Sequence, residues 1–334
     1  MLNVRTKITA IFFILSTYKT GFCQLTLENI FLTNKYTVVE ADDVQFLHTK
    51  PLFAKLKNSK KGSTIAFYNE KNEQVNEWKI AESTYNWRDL IISNSDKFFL
   101  INTNCEQLYR RSLLCNYFFG NESGKLTSLS DTKQLYPAFS PDDKRIAFIK
   151  NNNLFYKEIS SNTEIQITKD GEWNKIINGK SDWVYEEELE LTRAYEWNAQ
   201  SDKIAYLKFN ESNVKEYTIP LYYDMQYPNY FTYKYPKVGE ENSKVSFWLY
   251  DVESKKNKQI TLPFSYEYIP RIYWNTSGDE VIAMLLNRHQ DSLQLIGYNI
   301  KTKKTRQLYL ETDKAYVEVP KTVQFLSDNS FIIT

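Results

Sequence analysis

The sequence predicts an all-β protein and, within that class, a β-propeller. Three observations carry the prediction. Short alternating or wholly apolar runs recur along the 334 residues with polar turns between them, and long helical periodicity is nearly absent. The composition is rich in aromatics, with 25 Tyr, 20 Phe and 7 Trp, and poor in Gly and Pro at 9 each, which suits pleated surfaces. One pattern also returns four times: an aromatic residue, a polar turn, an Asp, then an apolar strand.

The strands are read in chain order. STIAFYN (63–69), KFFLIN (97–102), RIAFIK (145–150), NLFYKEI (153–159), KIAYLKF (203–209), VSFWLYDV (245–252), VIAMLL (281–286) and LQLIGYNI (293–300) have the length and β-branched or aromatic content of strands. The repeated pattern is anchored at Phe139, Trp197, Trp274 and Phe325. Its spacing exceeds the ~40–45 residues of a minimal four-stranded blade, so blades with insertions are expected. A sandwich would not explain the repeated turn, whereas a propeller blade buries its faces only against its neighbours. The lysine-rich runs KNSKKG (57–62) and KTKKTR (301–306) read as solvated turns.

Other features bound the function. Arg5 and Lys7 precede the apolar run Ile8 to Leu15, and TGFCQ follows, which reads as a secretory signal over residues 1–23 with cleavage near Cys23–Gln24. The run is shorter than the ~20 apolar residues a bilayer span needs. The mature chain, 24–334, is therefore expected to be exported, periplasmic or extracellular, with no membrane span. Cys105 and Cys115 then remain; export permits a disulfide, but sequence does not fix the Cα separation a bridge requires, and their pairing stays open. The net charge of +1, from 42 basic and 41 acidic residues, leaves no electrostatic footprint for nucleic acid. The two histidines, His48 and His289, lie in no ligand-spaced cluster, so neither a metal nor a cofactor is expected. The chain ends in SFIIT, inside an apolar strand, which leads to the expectation of a propeller cut short.

The chemistry concentrates in DWVYEEELE (182–190). Neighbouring helical side chains point about 100° apart, so adjacent glutamates converge on one ligand only at a helix end or a distorted turn. Adjacent carboxylates repel, and a cation relieves the repulsion. A primary ammonium, with three donors, can satisfy two carboxylates at once. On composition alone, a solvated acidic face on a short helix is the favoured reading.

IINGKSDWVYEEE (176–188), WNAQSDKIAYLKFNESNV (197–214), YPKVGEENSKVSFWLYDV (235–252) and YRRS (109–112) together resemble the dipeptidyl peptidase IV family of the prolyl oligopeptidase superfamily. The resemblance runs from about Leu25 to the end of the chain. It implies the N-terminal propeller of an exported serine peptidase that releases X-Pro and X-Ala dipeptides from peptide amino termini. The propeller would be truncated, with roughly five to seven blades of an eight-bladed type. It further implies that Glu187 and Glu188 bind the substrate's α-ammonium and that Arg110 holds the first carbonyl, with Arg111 the alternative if the register slips by one. Glu186 is then expected to be the solvated member, and Trp183 and Tyr185 to pack the helix onto the propeller. Glu190 departs from the family's usual aromatic or small residue.

A serine hydrolase of this class needs a G-x-S-x-G elbow followed by an acid and a His. The chain has none; GNESG (120–124) has the wrong spacing and reads as a turn. The α/β-hydrolase domain is thus expected to be absent, with no catalytic residue and no hydrolysis by this chain alone. Two rivals remain: a stand-alone propeller that binds peptides or proteins, and an inactive partner of an intact relative. The family's homodimer is doubtful for a chain without the hydrolase surface.

Overall fold

Strands whose two faces are both apolar must be covered on both sides, and the fold does this by placing sheet against sheet. The computed structural model describes residues 25–33, 35–36, 43–60, 62–80, 87–223 and 225–334; the expected signal segment lies outside them. The chain divides into two units, 1–43 and 44–334. In the first, a short helix α1 (Leu27–Phe31) is capped by Thr26, whose hydroxyl accepts from the Asn29 N–H at 3.1 Å.

Among its described residues the second unit is antiparallel β apart from one short helix, and its strands run as successive, mostly four-stranded meanders. The first sheet contains β1 (Gln45–Phe46), β2 (Phe53–Ser59), β3 (Gly62–Tyr68) and β4 (Gln74–Ile80). The second contains β5 (Leu90–Ile92), β6 (Phe98–Gln107), β7 (Leu113–Asn121) and β8 (Thr127–Ser128). The third contains β9 (Leu135–Phe139), β10 (Arg145–Lys150), β11 (Asn153–Glu158) and β12 (Thr163–Gln166).

The fourth sheet has its first strand in two pieces. Both β13 (Ile176–Asn178) and β14 (Tyr195–Trp197) pair with β15 (Lys203–Asn210), and helix α2 (Trp183–Glu188) lies in the excursion between them. A hairpin of β16 (Glu216–Leu221) and β17 (Asn229–Lys234) is inserted before β18 (Lys244–Asp251) and β19 (Lys256–Ile260) complete the sheet. The fifth sheet holds β20 (Tyr268–Trp274), β21 (Glu280–Leu286), β22 (Ser292–Asn299) and β23 (Thr305–Thr312). A two-stranded sheet, β24 (Val323–Phe325) with β25 (Phe331–Ile333), follows. This is the expected propeller architecture with its short inserted helix.

Period-two alternation sends neighbouring residues to opposite sheets. Ile146 and Phe148 of β10 pack back onto the second sheet, while Ala147 and Ile149 pack forward onto the fourth. Ile204 and Tyr206 of β15 face back, and Ala205, Leu207 and Phe209 face forward. The last strand of each sheet is the exposed one: β4, β12, β19 and β23 carry mostly solvent-facing residues.

The repeated turn has one backbone form. In the turns opening at Ser93, Ser140, Asn198, Asn275 and Leu326, the first carbonyl accepts from the N–H three residues on, at 2.9–3.0 Å. That fourth residue is Asp96, Asp143, Ser201, Gly278 or Asn329, each in the left-handed region with φ between 55° and 66°. Its side chain reaches the turn of the preceding sheet. Asp96 accepts from the His48 and Thr49 N–H groups, both at 2.8 Å. Asp143 accepts from Asn94 (3.0 Å) and Ser95 (2.6 Å). The Ser201 hydroxyl accepts from the Asp142 N–H at 3.0 Å, and Asn329 from Ser277 at 3.4 Å. Gly278 has no side chain to extend; there Gln200 reaches forward to the Ser277 carbonyl at 2.8 Å, and a β-carbon on Gly278 would fall 2.2 Å from the Gln200 amide oxygen.

Asp143→Ala deletes the acceptor for two N–H groups and places alanine in a left-handed position. It is expected to cost about 2–4 kcal/mol. Asp143→Asn keeps one acceptor and tolerates that conformation, so it should cost less than half as much, read from urea midpoints at constant m-value.

Candidate functional site

The site begins where the fourth sheet's first strand breaks. Gly179, at φ +75°, turns the chain out of β13; a β-carbon there would sit 2.8 Å from Ile149 Cδ1. Residues 179–181 and 192–194 then form a narrow antiparallel stalk: Ala194 N–H donates to Gly179 O (2.9 Å) and Ser181 N–H to Thr192 O (3.1 Å). Helix α2 forms at its tip. Asp182 is its N-cap, accepting from the Tyr185 N–H at 2.9 Å through one oxygen and from the Ser243 hydroxyl through the other.

The helix is fastened on several sides. Tyr185 is 1 % exposed, meets Phe209 edge-on at 4.7 Å, and its hydroxyl accepts from the Ile269 N–H of the fifth sheet at 3.0 Å. Arg271 Nη1 donates to the Leu189 carbonyl at 2.5 Å. Trp183 is half-buried against Tyr235, with ring centroids 4.3 Å apart. The expected packing roles of Trp183 and Tyr185 thus have specific partners.

Helical geometry gives the three adjacent glutamates three environments. Glu186 points inward and is 1 % exposed, which corrects the expectation that it is solvated. Its Oε1 accepts from the backbone N–H groups of Arg111 (2.6 Å) and Ser112 (3.0 Å), in the β6–β7 connection of the second sheet. Two orphan N–H groups of a tight loop are what draws this carboxylate in, and such pairing is what a buried charge requires. Glu187 is partly covered, with its side chain 14 % exposed, and it pairs with Arg110 at 3.2 Å. Glu188 is exposed and has no hydrogen bond or ion pair among the described residues.

The two adjacent arginines take different partners. Arg110 reaches Glu187, whereas Arg111 turns to Glu190 at 3.1 Å. The three residues expected from sequence, Glu187, Glu188 and Arg110, thus lie together, although 77 positions separate Arg110 from Glu187. The Glu190 charge has a partner of its own rather than an apolar neighbour.

Sequence reasoning missed the aromatic surround. Tyr109 packs against Phe231 (6.5 Å) and Tyr233 (6.0 Å) of the inserted hairpin, and Tyr233 also lies 6.0 Å from Trp183. The arginine loop, the helix and the hairpin therefore share one aromatic cluster. The dense run YFTYKY (230–235) was the available signal.

Beneath the cluster lies a set of buried ionisable groups. Burial holds the Lys180 ammonium below its usual range, against the pull of Glu211, Glu186 and Asp182. Its Nζ lies 5.9 Å from the Tyr109 ring centre, a cation–π placement. Burial raises the Asp182 carboxyl, although Ser243 and the Tyr185 N–H work the other way. Burial, reinforced by Asp182 and opposed by Lys180 and Lys234, pushes Glu211 from 4.5 to about 7.

The loop that carries the arginine is cross-linked at its base: Cys105 and Cys115 form a disulfide, with Cα atoms 4.1 Å apart. The pairing left open by the sequence is thereby settled in the structure.

With this geometry in view, comparison with known proteins is decisive. The profile described as "Dipeptidyl peptidase IV (DPP IV) N-terminal region" matches residues 93–334. The chain belongs to the dipeptidyl peptidase IV family. A dipeptidyl peptidase 4 of Trichophyton tonsurans is 34% identical over 218 residues, covering 61% of this chain and 28% of that protein. A dipeptidyl aminopeptidase B of Saccharomyces cerevisiae is 36% identical over 162 residues, covering 47% of this chain and 20% of that protein. The crystal structure of Porphyromonas gingivalis dipeptidyl peptidase 4 superimposes with a TM-score of 0.86 at 29% identity, covering 94% of this chain and 46% of that one. This dipeptidyl peptidase IV family chain therefore spans less than half the length of each.

Two outcomes follow from the site's interior. Glu186→Ala strands the Arg111 and Ser112 N–H groups and should cost about 2–4 kcal/mol, with both amides losing protection from hydrogen exchange. A carboxyl raised on folding favours the protonated native state, so its contribution is intact below about pH 4.5 and is lost as the pH rises through about 7. Glu211→Gln is expected to flatten the fall in urea midpoint across that window.

Proposed function

We propose that this chain is the substrate-recognition part of an exported serine dipeptidyl peptidase that releases X-Pro and X-Ala dipeptides from peptide amino termini. On this reading, residues 1–23 are the leader and 24–334 the propeller portion. The observation that carries the reading is the placement of Arg110 against Glu187 with Glu188 open beside them, on a chain of this family. The names of the relatives, dipeptidyl peptidase 4 and dipeptidyl aminopeptidase B, supply the reaction class.

The physics of the clamp is simple. Glu187, Glu188 and Arg110 together carry one net negative charge, which a peptide's α-ammonium neutralises. Three N–H donors of that ammonium meet Glu188 and the remaining oxygen of Glu187. The Arg110 guanidinium, 72 % exposed, has donors left for the first carbonyl. Fixing the amino terminus sets how far the peptide extends and so places the scissile bond after the second residue. The glutamates thus act by orientation rather than as acid or base. The 334 residues carry no G-x-S-x-G run, so on this reading the chain binds and does not cut.

Calorimetry with an Ala-Pro peptide tests the clamp. The free-amine peptide should bind, the N-acetylated one should not, and Glu188→Gln should weaken binding about ten- to a hundredfold. Equal binding of the two peptides would refute the clamp. The pure chain is expected to leave a Gly-Pro chromogenic substrate intact; turnover abolished by a serine-directed inhibitor would sink that part.

A further inference from the structure

We propose that the Cys105–Cys115 disulfide is a positioning element for Arg110, holding the hairpin tip that presents the guanidinium to Glu187. The proposal rests on the clamp reading above. It starts from an irregularity in the second sheet. Strands β6 and β7 pair residue for residue from Phe98 with Asn121 to Thr103 with Asn116. The register then shifts, and pairing resumes only as Glu106 with Leu114 and Gln107 with Leu113.

At the break, Asn104 takes a left-handed backbone at φ +52°. Cys115 there gives its backbone bonds to the next sheet: its N–H donates to Gln134 O (3.0 Å) and its carbonyl accepts from Gln134 N–H (2.8 Å). Beyond the break, two strand pairs and the disulfide join the two arms of the tip to each other. Backbone pairing is thus absent where the covalent bond is present.

What the tip carries gives the bond its role. Leu108 N–H donates to Ser112 O (2.9 Å), closing the loop, and Gln107 donates to the Arg110 carbonyl (2.9 Å). Glu186 receives the Arg111 and Ser112 N–H groups only when the tip is in place. Opening a cross-link ten residues apart restores chain freedom at the base of a segment whose tip is otherwise held by the Glu186, Glu187 and Glu190 contacts and by the packing of Tyr109. Reduction by a dithiol breaks the S–S bond: two electrons and two protons pass to the cysteines, giving two thiols, and the dithiol becomes its cyclic disulfide. Cys105 is half-buried and Cys115 fully buried, so the attack begins at the Cys105 side.

Hydrogen exchange on the full chain, before and after dithiothreitol, tests this, with the double variant Cys105→Ser/Cys115→Ser as a second arm. The Arg111 and Ser112 amides should exchange about tenfold faster or more, those of β10 and β15 should keep their rates, and affinity for an Ala-Pro dipeptide should fall about tenfold. Unchanged exchange at Arg111 and Ser112 overturns the proposal, as does acceleration throughout the sheets, which would make the bond a general staple. Faster exchange with undiminished dipeptide affinity also overturns it. An oxidised chain that does not hold the dipeptide overturns the clamp reading and the proposal with it. The exchange arm needs no ligand, so it tells these failures apart.

Discussion

A left-handed residue at the same place in five turns sends its side chain, or at Gly278 yields its place, to a tie with the turn of the neighbouring sheet. The tie is local in sequence on one side and about 50 to 80 residues away on the other, which is how a repeat that stacks one-dimensionally must be held. Hydrophobic burial drives the sheets together but does not choose their offset, since apolar contact is non-directional. Directional bonds to backbone N–H groups do choose it. Asp96 shows the strength of the arrangement: burial works to raise its pKa, yet the Thr49 hydroxyl and the His48 and Thr49 N–H groups more than offset this and hold it below the usual carboxylate value.

The site depends on that offset. Its two charged halves come from different sheets, the arginine loop from the second and the glutamate helix from the fourth, with the third sheet between them in sequence. A shift between sheets would separate Arg110 from Glu187 before it disturbed either sheet. Glu186 is a direct link across that distance, beside the Arg110–Glu187 and Arg111–Glu190 pairs, and it is the member of the acidic triplet that accepts from backbone N–H groups. A buried carboxylate without such donors would be costly, so its position and theirs are set together.

Much of the fold was legible because β10, β15 and β21 are covered on both faces and so read as continuous apolar runs. Their exposed partners β4, β12, β19 and β23 were not, since nothing in QVNEWKI or KNKQI separates a solvated edge strand from a loop. The turn at Ser93 escaped notice because an aliphatic Ile92 stands where the other repeats place an aromatic residue. In the site, Glu187, Glu188 and Arg110 were reachable through motif resemblance. The inward turn of Glu186 was not, because its partners are backbone N–H groups more than 70 positions away, and those leave no mark in a sequence. The aromatic hairpin was overlooked for a similar reason: its strands are mostly exposed, and their significance lies in Tyr109 and Trp183.

The split first strand of the fourth sheet has a consequence for how the excursion is held. β13 and β14 each keep register with β15, on its far and near halves respectively, while the sixteen residues 179–194 hang from the gap. The strand pairing therefore does not depend on how long that excursion is, although Tyr185 packs its tip onto Phe209 of β15. The hydrogen-bond ladder stays closed on either side of it, while its tip is held by separate contacts to the second and fifth sheets. The excursion is thus a segment whose ends are set by the sheet and whose tip is set by its own contacts.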